Sequence, residues 1–567
     1  MKELHHPPIK DVFTWLFSIL PVSKKLQIAF LCLLELISSI FSVLFVLYFR
    51  NIIDAAVAKN SNELWFSAFM LLFIIAVQIL AHAFQRYWGE ATRADIENHF
   101  KTYLLTTLFQ REYQSISQIH TGEWQTRLTS DTGIISRGMA TVLPGLVGMV
   151  SRLVAILLML SHIQPQFLWL IFPMGLIYLL IGLGMKLKLR RLYRNIQEKT
   201  SQLQVFYKDY LSSLLVIKTF SIEKKVEEQA HDYLEQHKKA RLEQTTFSNI
   251  NITALSLVLQ TAYILSAIYC AYGIYTGAIS YGAFVAITRL VAQVSQPFST
   301  ATSYIPSFYS TLVSCERLME VSQMNAVRGE AKSYSEIEEV YEKLDAIVFE
   351  KASFSYTGRN LFANLQLDIQ KGDYIAFSGP SGCGKSTLTK LILSIYDLQA
   401  GQRFLRLTDG KTIPLDARFH RLFAYVPQVK HLMVGTIRQV VTFSENLSAD
   451  EERLLWQALE LACARELVEN LSQGLDFVLG EDGSGLSEGQ LQRLSIARAI
   501  YSQSPILVLD ESTSALDEET EKAILENLKA MTDRTMIIVT HRPAALGICN
   551  KQLHFSESGV ELKYRMN

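Results

Sequence analysis

The sequence is short of the features that mark several common protein classes. It has only six cysteines in 567 residues, at 32, 270, 315, 383, 463 and 549. No two of them have metal-ligand or redox-motif spacing, so neither a disulfide framework nor a zinc module is expected. There is no excess of charge of either sign, because 54 Lys and Arg balance 54 Asp and Glu. A nucleic-acid-binding chain carries a basic surplus, so no nucleic-acid partner is expected. Charged residues make up only 19% of the chain, and mean hydropathy is +0.17. Nor is a cleavable signal expected. The short apolar stretch after His5, His6, Pro7 and Pro8 runs into Lys24 and Lys25 without a small-residue cleavage site. Phe13 to Leu20 suits instead a short amphipathic helix at a membrane surface.

What the chain does have is long apolar runs, all in its first 310 or so residues. A membrane-spanning helix needs about 20 mostly apolar residues. Six segments qualify, at 26–49, 64–86, 139–161, 167–185, 253–275 and 282–305. Lys and Arg placement sets their orientation. Segment 186–250 holds 13 of them and 89–138 holds five, whereas 51–62 holds only Lys59 and the short connections 162–166 and 276–281 hold none. Both termini and the two long loops are therefore expected in the cytoplasm. Those loops are poor in Gly and Pro and should continue the membrane helices well below the bilayer. The expected organisation is a cytoplasmic or interfacial segment (1–25), a six-helix transmembrane domain (26–319), a Glu-rich linker (320–343) and an α/β domain (344–567).

The α/β part carries the chemistry. Gly379-Pro380-Ser381-Gly382-Cys383-Gly384-Lys385-Ser386-Thr387 fits the phosphate-loop pattern without a gap, between a strand-like run (374–378) and a helix-like one (388–395). Glycines let the backbone wrap closely round phosphates, with N–H groups converging at a helix start. Lys385 would bind the β- and γ-phosphates and the Ser386 hydroxyl Mg²⁺. Ile506 to Leu509 reads as a buried parallel strand ending in Asp510 and Glu511, where ligands bind in such sheets. Asp510 would hold Mg²⁺ through water, and Glu511 would polarise the attacking water. The fold expected is an α-helical six-span membrane domain followed by an α/β P-loop ATPase domain.

Leu486-Ser487-Glu488-Gly489-Gln490 resembles the LSGGQ signature of ATP-binding-cassette (ABC) transporters, with Glu at the third position. Other family landmarks occur in family order. Tyr356 resembles the adenine-stacking aromatic, Gln428 the glutamine that touches Mg²⁺, and 480–483 the acidic loop of exporters. Ser514 to Asp517 resembles the dimer-contact loop and His541 the switch histidine. More loosely, Thr121 to Asp131 and Val216 to Glu223 resemble the two coupling segments of exporter-type members. The resemblance implies a half-transporter that binds ATP and Mg²⁺, and in which Ser487, Gly489 and Gln490 of one chain close over ATP held by another. The partner would be an identical or a sister chain. ATP sites would include Tyr356, Gly379, Ser381, Gly382, Cys383, Gly384, Lys385, Ser386, Thr387 and Asp517, with Gln428, Glu511 and His541 catalytic. Glu488 departs from the pattern and puts a carboxylate beside the donated signature.

Ionisable residues at membrane depth are functional candidates. Glu35 stands in helix 1 with Ser38, Ser39 and Ser42 at i+3, i+4 and i+7, and Arg152, Arg289 and Gln293 stand in helices 3 and 6. They are the candidate cargo contacts. The expected activity is ATP-driven export of amphipathic small molecules, peptides or lipids from the cytoplasmic membrane of a bacterium. An importer of a metal chelate on the same plan is an alternative, since direction depends on relative affinities in two states. An ATP-gated regulator is another, although no long regulatory insertion is present. No peptidase domain precedes helix 1, which disfavours a leader-processing exporter.

Overall fold

The computed structural model describes residues 8–564 except 120, 328, 357–358, 429–431, 481–482, 484 and 557–558. Over much of 168–190, 295–305 and 356–360 it describes the backbone alone. Contacts divide the chain into two units, Met1–Thr107 with Thr121–Gln323, and Leu108–His120 with Met324–Asn567.

The first unit is helical. It comprises α1 (Ile9–Ile19), α2 (Val22–Val57), α3 (Ser61–Phe109), α4 (Thr121–Ile163), α5 (Leu168–Ser212), α6 (Leu214–Phe220), α7 (Glu223–Tyr275), α8 (Tyr281–Gln293) and α9 (Ser295–Gln323). Among the described residues α2, α3, α4 and α7 are each long and apolar enough to cross a membrane. The fourth expected span lies in α5, with most of its side chains outside the described residues. The sixth is split between α8 and α9. Pro297 has no N–H for the Gln293 carbonyl and its ring crowds it, which accounts for the break at Val294. At 49, 45 and 53 residues, α3, α5 and α7 run far beyond a bilayer's needs, as the long loops suggested.

The N-terminal helix α1 starts after Pro8, stops before Pro21, and buries Val12 and Leu16. Its Phe13 ring stacks on Phe308 of α9 at 5.8 Å. Two π-helical turns, Arg127–Asp131 and Gly138–Val142, interrupt α4. The first buries Arg127 and Asp131. Arg127 donates to the Arg317 carbonyl at 2.7 Å and pairs with Glu320 at 2.9 Å, while Asp131 accepts from Ser314 at 2.8 Å. Thus the charges of the first coupling-like segment fasten α4 to α9. At the other end, α2 is stapled to the start of α8: Asp54 accepts from the Ser280 hydroxyl and the Gly282 N–H, both at 2.9 Å. A Cβ on Gly282 would lie 2.4 Å from the Arg50 carbonyl oxygen, so this approach requires glycine.

The second unit is built on two main sheets and a short antiparallel pair, β7 (Gly435–Thr436) with β8 (Val478–Leu479). Strands β1 (Leu344–Tyr356), β2 (Arg359–Gln370), β4 (Ala400–Leu407) and β5 (Thr412–Pro414) form an antiparallel sheet ordered β2-β1-β4-β5. The other is ordered β12-β11-β3-β10-β9-β6. Its strands are β3 (Tyr374–Ser378), β6 (Phe423–Val426), β9 (Ile506–Asp510), β10 (Thr535–Val539), β11 (Lys551–Ser556) and β12 (Gly559–Tyr564), and β6, β9, β10, β3 and β11 run parallel. β9 and β10 are buried at every position, which is why they read as unbroken apolar runs. One core joins the two sheets through Phe349, Phe377, Leu388 and Phe555.

Two features were not expected from sequence. More than a third of the polar stretch 320–343 is helix α10 (Tyr334–Glu342), started by a capping box between Ser333 and Glu336. It buries Ile337 and Tyr341, whose hydroxyl meets Thr535 Oγ1 at 3.0 Å, so it belongs to the ATPase fold rather than to a free linker. The second is segment 108–120. Glu112 N donates to Asn325 O at 3.0 Å and Val327 N to Gln110 O at 2.9 Å. Its single helical turn, Tyr113–Ile116, brings Gln114 to accept from Asp397 N at 3.2 Å. This piece of the membrane half is therefore part of the second unit.

Candidate functional site

Four of the five parallel strands deliver something to the same edge of their sheet. The phosphate loop follows β3, Asp510 ends β9, Gln428 lies just past β6 and His541 just past β10. These strands are neighbours, so residues far apart in sequence converge at their C-terminal ends.

The loop from Gly379 to Gly384 leads into α11 (Lys385–Ile392). Gly379 has φ +139°, and a Cβ there would lie 2.4 Å from the Phe555 carbonyl oxygen. Gly384, at φ +106°, would strike Phe362 at 2.9 Å. These two positions need glycine for both dihedral and space. Ser381 and Gly382 are exposed at the turn, Cys383 is half-buried, and Ser386 and Thr387 fall in the first turn of α11. Lys385 is buried, and its ammonium donates to the carbonyls of Gly379 (2.6 Å) and Pro380 (2.9 Å).

Asp510 is buried at the tip of β9. Its Oδ2 accepts from the Tyr425 hydroxyl at 3.2 Å, and Ser386 also hydrogen-bonds to the carboxylate. Burial pushes the Asp510 carboxyl up, Glu511 adds repulsion, and Tyr425 and Ser386 oppose the rise. Oδ1 is buried with no hydrogen-bond partner among the described residues. An orphaned carboxylate oxygen beside a serine hydroxyl is a hard-oxygen donor set that fits Mg²⁺.

Glu511 has φ +48°, strained for a residue with a side chain, and its N–H is fixed on Val539 O at 2.9 Å. That bond ties β9's end to β10. Glu511 Oε2 accepts from Gln428 Nε2 at 2.6 Å, and Oε1 lies 3.9 Å from His541 Nε2. The three residues expected to be catalytic thus form one partly exposed cluster.

The signature residues open α12 (Glu488–Tyr501). Ser487 caps the helix: its Oγ accepts from Gln490 N, while Gln490 Oε1 accepts from Ser487 N at 2.7 Å. Gln490, expected to touch nucleotide, uses its side chain to hold Ser487 in place. Glu488 is exposed. A Cβ on Gly489 would lie 2.8 Å from the Ala515 carbonyl, so glycine permits the signature to pack on loop 514–517. Asp517 caps α13 (Glu518–Lys529) by accepting from Thr520 N at 2.9 Å, a bond that holds its carboxyl below the usual range. The side chain of Tyr356 lies outside the described residues, as do Glu481 and Asp482 of the acidic loop.

Sequence reading missed the residues that join these pieces. Gln492, buried in α12, donates to Ser514 Oγ at 3.3 Å and accepts from Ala515 N at 3.0 Å. Arg542, next to His541, donates to the carbonyls of Ser514 (2.7 Å) and Leu516 (3.1 Å) and to Glu521 (2.7 Å). Glu521 is buried and also accepts from Thr513 Oγ1 at 2.7 Å. The histidine-bearing loop and loop 514–517 are thereby one fastened piece.

In the membrane half, Glu35 accepts from Gln85 Nε2 at 2.5 Å. A Cβ on Gly148 would sit 2.6 Å from its Oε2, so Gly148 makes room for the carboxylate. Ser38 and Ser39 are buried, and Ser39 donates to Gly148 O at 3.2 Å, which makes these serines packing contacts. Arg152 is half-buried on α4. Arg289 lies over the rings of Phe45 and Phe49, and Gln293 accepts from Ser42 at 3.4 Å. Gln296, seven residues after Arg289 on the same helix face by spacing, has its side chain outside the described residues.

A bundle of membrane helices joined to a phosphate-loop domain with this strand-edge cluster defines a membrane-embedded ATPase. The chain matches the family model for the ABC transporter transmembrane region over residues 28–298 and that for the ABC transporter over 362–514. It belongs to the ABC transporter family, with the membrane domain fused ahead of the ATPase domain as in exporter half-transporters, and couples ATP hydrolysis to transport. It is 27% identical over 534 residues to an uncharacterized ABC transporter ATP-binding protein of Bacillus subtilis, covering 92% of this chain and 85% of that one. It is 28% identical over 433 residues to the ATP-dependent lipid A-core flippase of Haemophilus influenzae, covering 74% and 71%. A solved bacterial Atm1-family ABC exporter with ATP bound has the same fold, with a TM-score of 0.80 at 20% identity over 96% of this chain and 95% of that one.

Proposed function

We propose that this chain exports an amphipathic molecule, as a dimer with an identical or sister chain, from the cytoplasmic leaflet of a bacterial membrane. The observation that carries the catalytic part is the Glu511 carboxylate held between Gln428 and His541, one residue beyond a buried Asp510. In this reading the loop from Gly379 to Thr387 cradles the phosphates, and Lys385 exchanges its two carbonyl partners for phosphate oxygens. Ser386 and Asp510 would hold Mg²⁺, which would supply positive charge beside the transferred phosphoryl group. Glu511 takes the proton of the attacking water, Gln428 orients the carboxylate, and His541 steadies the γ-phosphate. Ser487 and the N–H of Gly489, at a helix start, complete the donor shell of the partner's site.

Two further observations favour association. The second coupling-like helix α6 exposes Leu214, Leu215, Val216 and Phe220. Separately, the second unit exposes Met433, Val434, Phe443 and Val478. Apolar surface of this kind is normally covered by a partner, and half-transporters of this family work as dimers. Both termini and the ATPase domain are assigned to the cytoplasm from the Lys and Arg bias. Glu35, Arg152, Arg289 and Gln293 are the cargo contacts.

Inside-out vesicles containing the chain should accumulate a fluorescent amphiphile only with ATP, and vesicles with Glu511→Gln should not. ATP-dependent loss of the probe from loaded vesicles would reverse the assigned direction. Glu35→Gln should weaken accumulation, and an unchanged rate would remove Glu35 from the cargo site.

A further inference from the structure

Among the described arginines of the membrane half, Arg289 alone lies over two aromatic rings. It lies eight residues into α8, about 12 Å along the helix from Tyr281, on the face that the packing leaves exposed. Its guanidinium lies 4.7 Å from the Phe49 ring centroid and 5.2 Å from that of Phe45, and the two rings stack at 6.0 Å. Among the described residues it makes no hydrogen bond and no ion pair, in contrast to Arg127, whose carbonyl and carboxylate partners are on α4 and α9. One helical turn on, the Gln293 side-chain oxygen accepts from Ser42.

A cation at this depth does not face lipid tails, because transfer into hydrocarbon costs about 2.5–3.5 kcal/mol or more. The exposed face of α8 therefore borders water or a polar occupant. Two phenyl rings fix the plane of the guanidinium but take none of its five N–H donors. A planar fork whose donors have no partner among the described residues matches a carboxylate or phosphate oxygen pair. The surroundings limit what carries that anion. Beneath the pair lie Val46, Ala286 and Leu290 of a buried apolar cluster. One guanidinium on an apolar wall suits one anionic head attached to an apolar body better than a free, multiply charged ion.

We propose that Arg289, set on Phe45 and Phe49 and helped by Gln293, is the headgroup subsite for an anionic amphiphile, which names the cargo class within the export reading on which this inference rests. The site recognises the shared chemistry of a phosphate or carboxylate head on acyl or other apolar chains.

The test is equilibrium binding to the purified full chain in neutral detergent without nucleotide. The probes are dioctanoyl phosphatidic acid and dioctanoyl phosphatidylcholine, with inorganic phosphate as competitor. Phosphatidic acid should bind about tenfold or more tightly than phosphatidylcholine, the range of one charge-assisted contact. Arg289→Gln should remove that preference, Arg289→Lys should keep part of it, and Arg194→Gln, on exposed α5, should keep all of it. Equal binding of phosphatidic acid by wild type and Arg289→Gln overturns the proposal. So does displacement by inorganic phosphate at the concentration at which phosphatidic acid itself binds, which would make the site one for a free anion. If Arg289→Gln does not fold, Phe45→Leu with Phe49→Leu reads the same platform and should reduce the preference severalfold. Binding needs no ATP, so a chain that binds the acid but never transports it keeps the subsite and refutes the export reading instead.

Discussion

Replacing Arg542 with Gln should do more damage than its half-exposed position suggests. The arginine side chain is 34% exposed, but its partner Glu521 is only 3% exposed. Without the guanidinium, Glu521 keeps one hydrogen bond, from Thr513, and loses its counter-charge inside the fold. Breaking a buried pair from one side costs about 3–5 kcal/mol, and the exposure of Arg542 moderates this to about 2–4 kcal/mol. For a domain of this size that lowers the unfolding midpoint by roughly 4–16 °C. Glu521→Gln removes the charge but keeps an acceptor for Thr513 and Arg542, and should cost about 1–2 kcal/mol. The decisive variant carries both changes. Most of the cost of Arg542→Gln comes from stranding the carboxylate, so the double variant should be less destabilised than the sum of the singles by about 1–3 kcal/mol. The assay is thermal loss of nucleotide binding by the full chain, all variants heated at one rate. Additive shifts, or a shift under about 2 °C for Arg542→Gln, would show that Glu521 is not held by Arg542.

Gly379→Ala should abolish nucleotide binding while leaving the chain folded, because a Cβ at φ +139° meets the Phe555 carbonyl at 2.4 Å; undiminished ATP affinity would contradict that fit. Cys383 is half-buried within the phosphate loop, so ATP should protect the protein from N-ethylmaleimide inactivation and Cys383→Ala should resist it; unchanged sensitivity of the variant would move the reactive thiol elsewhere. Lys332, with the Ser333 cap, holds the Glu336 carboxyl down to about 2. A depressed folded value means that its support of α10 is full above the ordinary carboxylate range and fades as pH falls through about 2. Hydrogen-exchange protection of α10 should follow that course, and Ser333→Ala should lower it at neutral pH; protection flat across the acid range would refute the cap's role.

The ATPase half was the more legible in sequence because its signals are local. A phosphate loop is a continuous string, and β9 is an apolar run ending in its two acids. The S-x-x-Q spacing of Ser487 and Gln490 is also a readable capping signature, yet family likeness assigned Gln490 to nucleotide first. Gln492, Arg542 and Glu521 gave no signal, because each matters only through partners 21 to 28 residues away or on another loop. Segment 108–120 has an ordinary polar composition, and only its pairing with 325–327 reveals which unit it joins. In the membrane half, hydropathy located the apolar runs but not the π turns of α4 or the break near Pro297. The helix-face rule put Glu35 and its serines together, and they do share a face against Gly148, but Ser38 and Ser39 are buried there as packing contacts, which periodicity alone does not tell.

The central claim is that Glu511 drives ATP hydrolysis in a site completed by a second chain. The most direct measurement is ATP hydrolysis by the purified chain alone in lipid, beside Glu511→Gln, with ATP binding followed in both. Robust hydrolysis that disappears in a variant still binding ATP is the predicted result, and it would make the chain a self-sufficient homodimer. Hydrolysis that survives Glu511→Gln would contradict the assignment at its root.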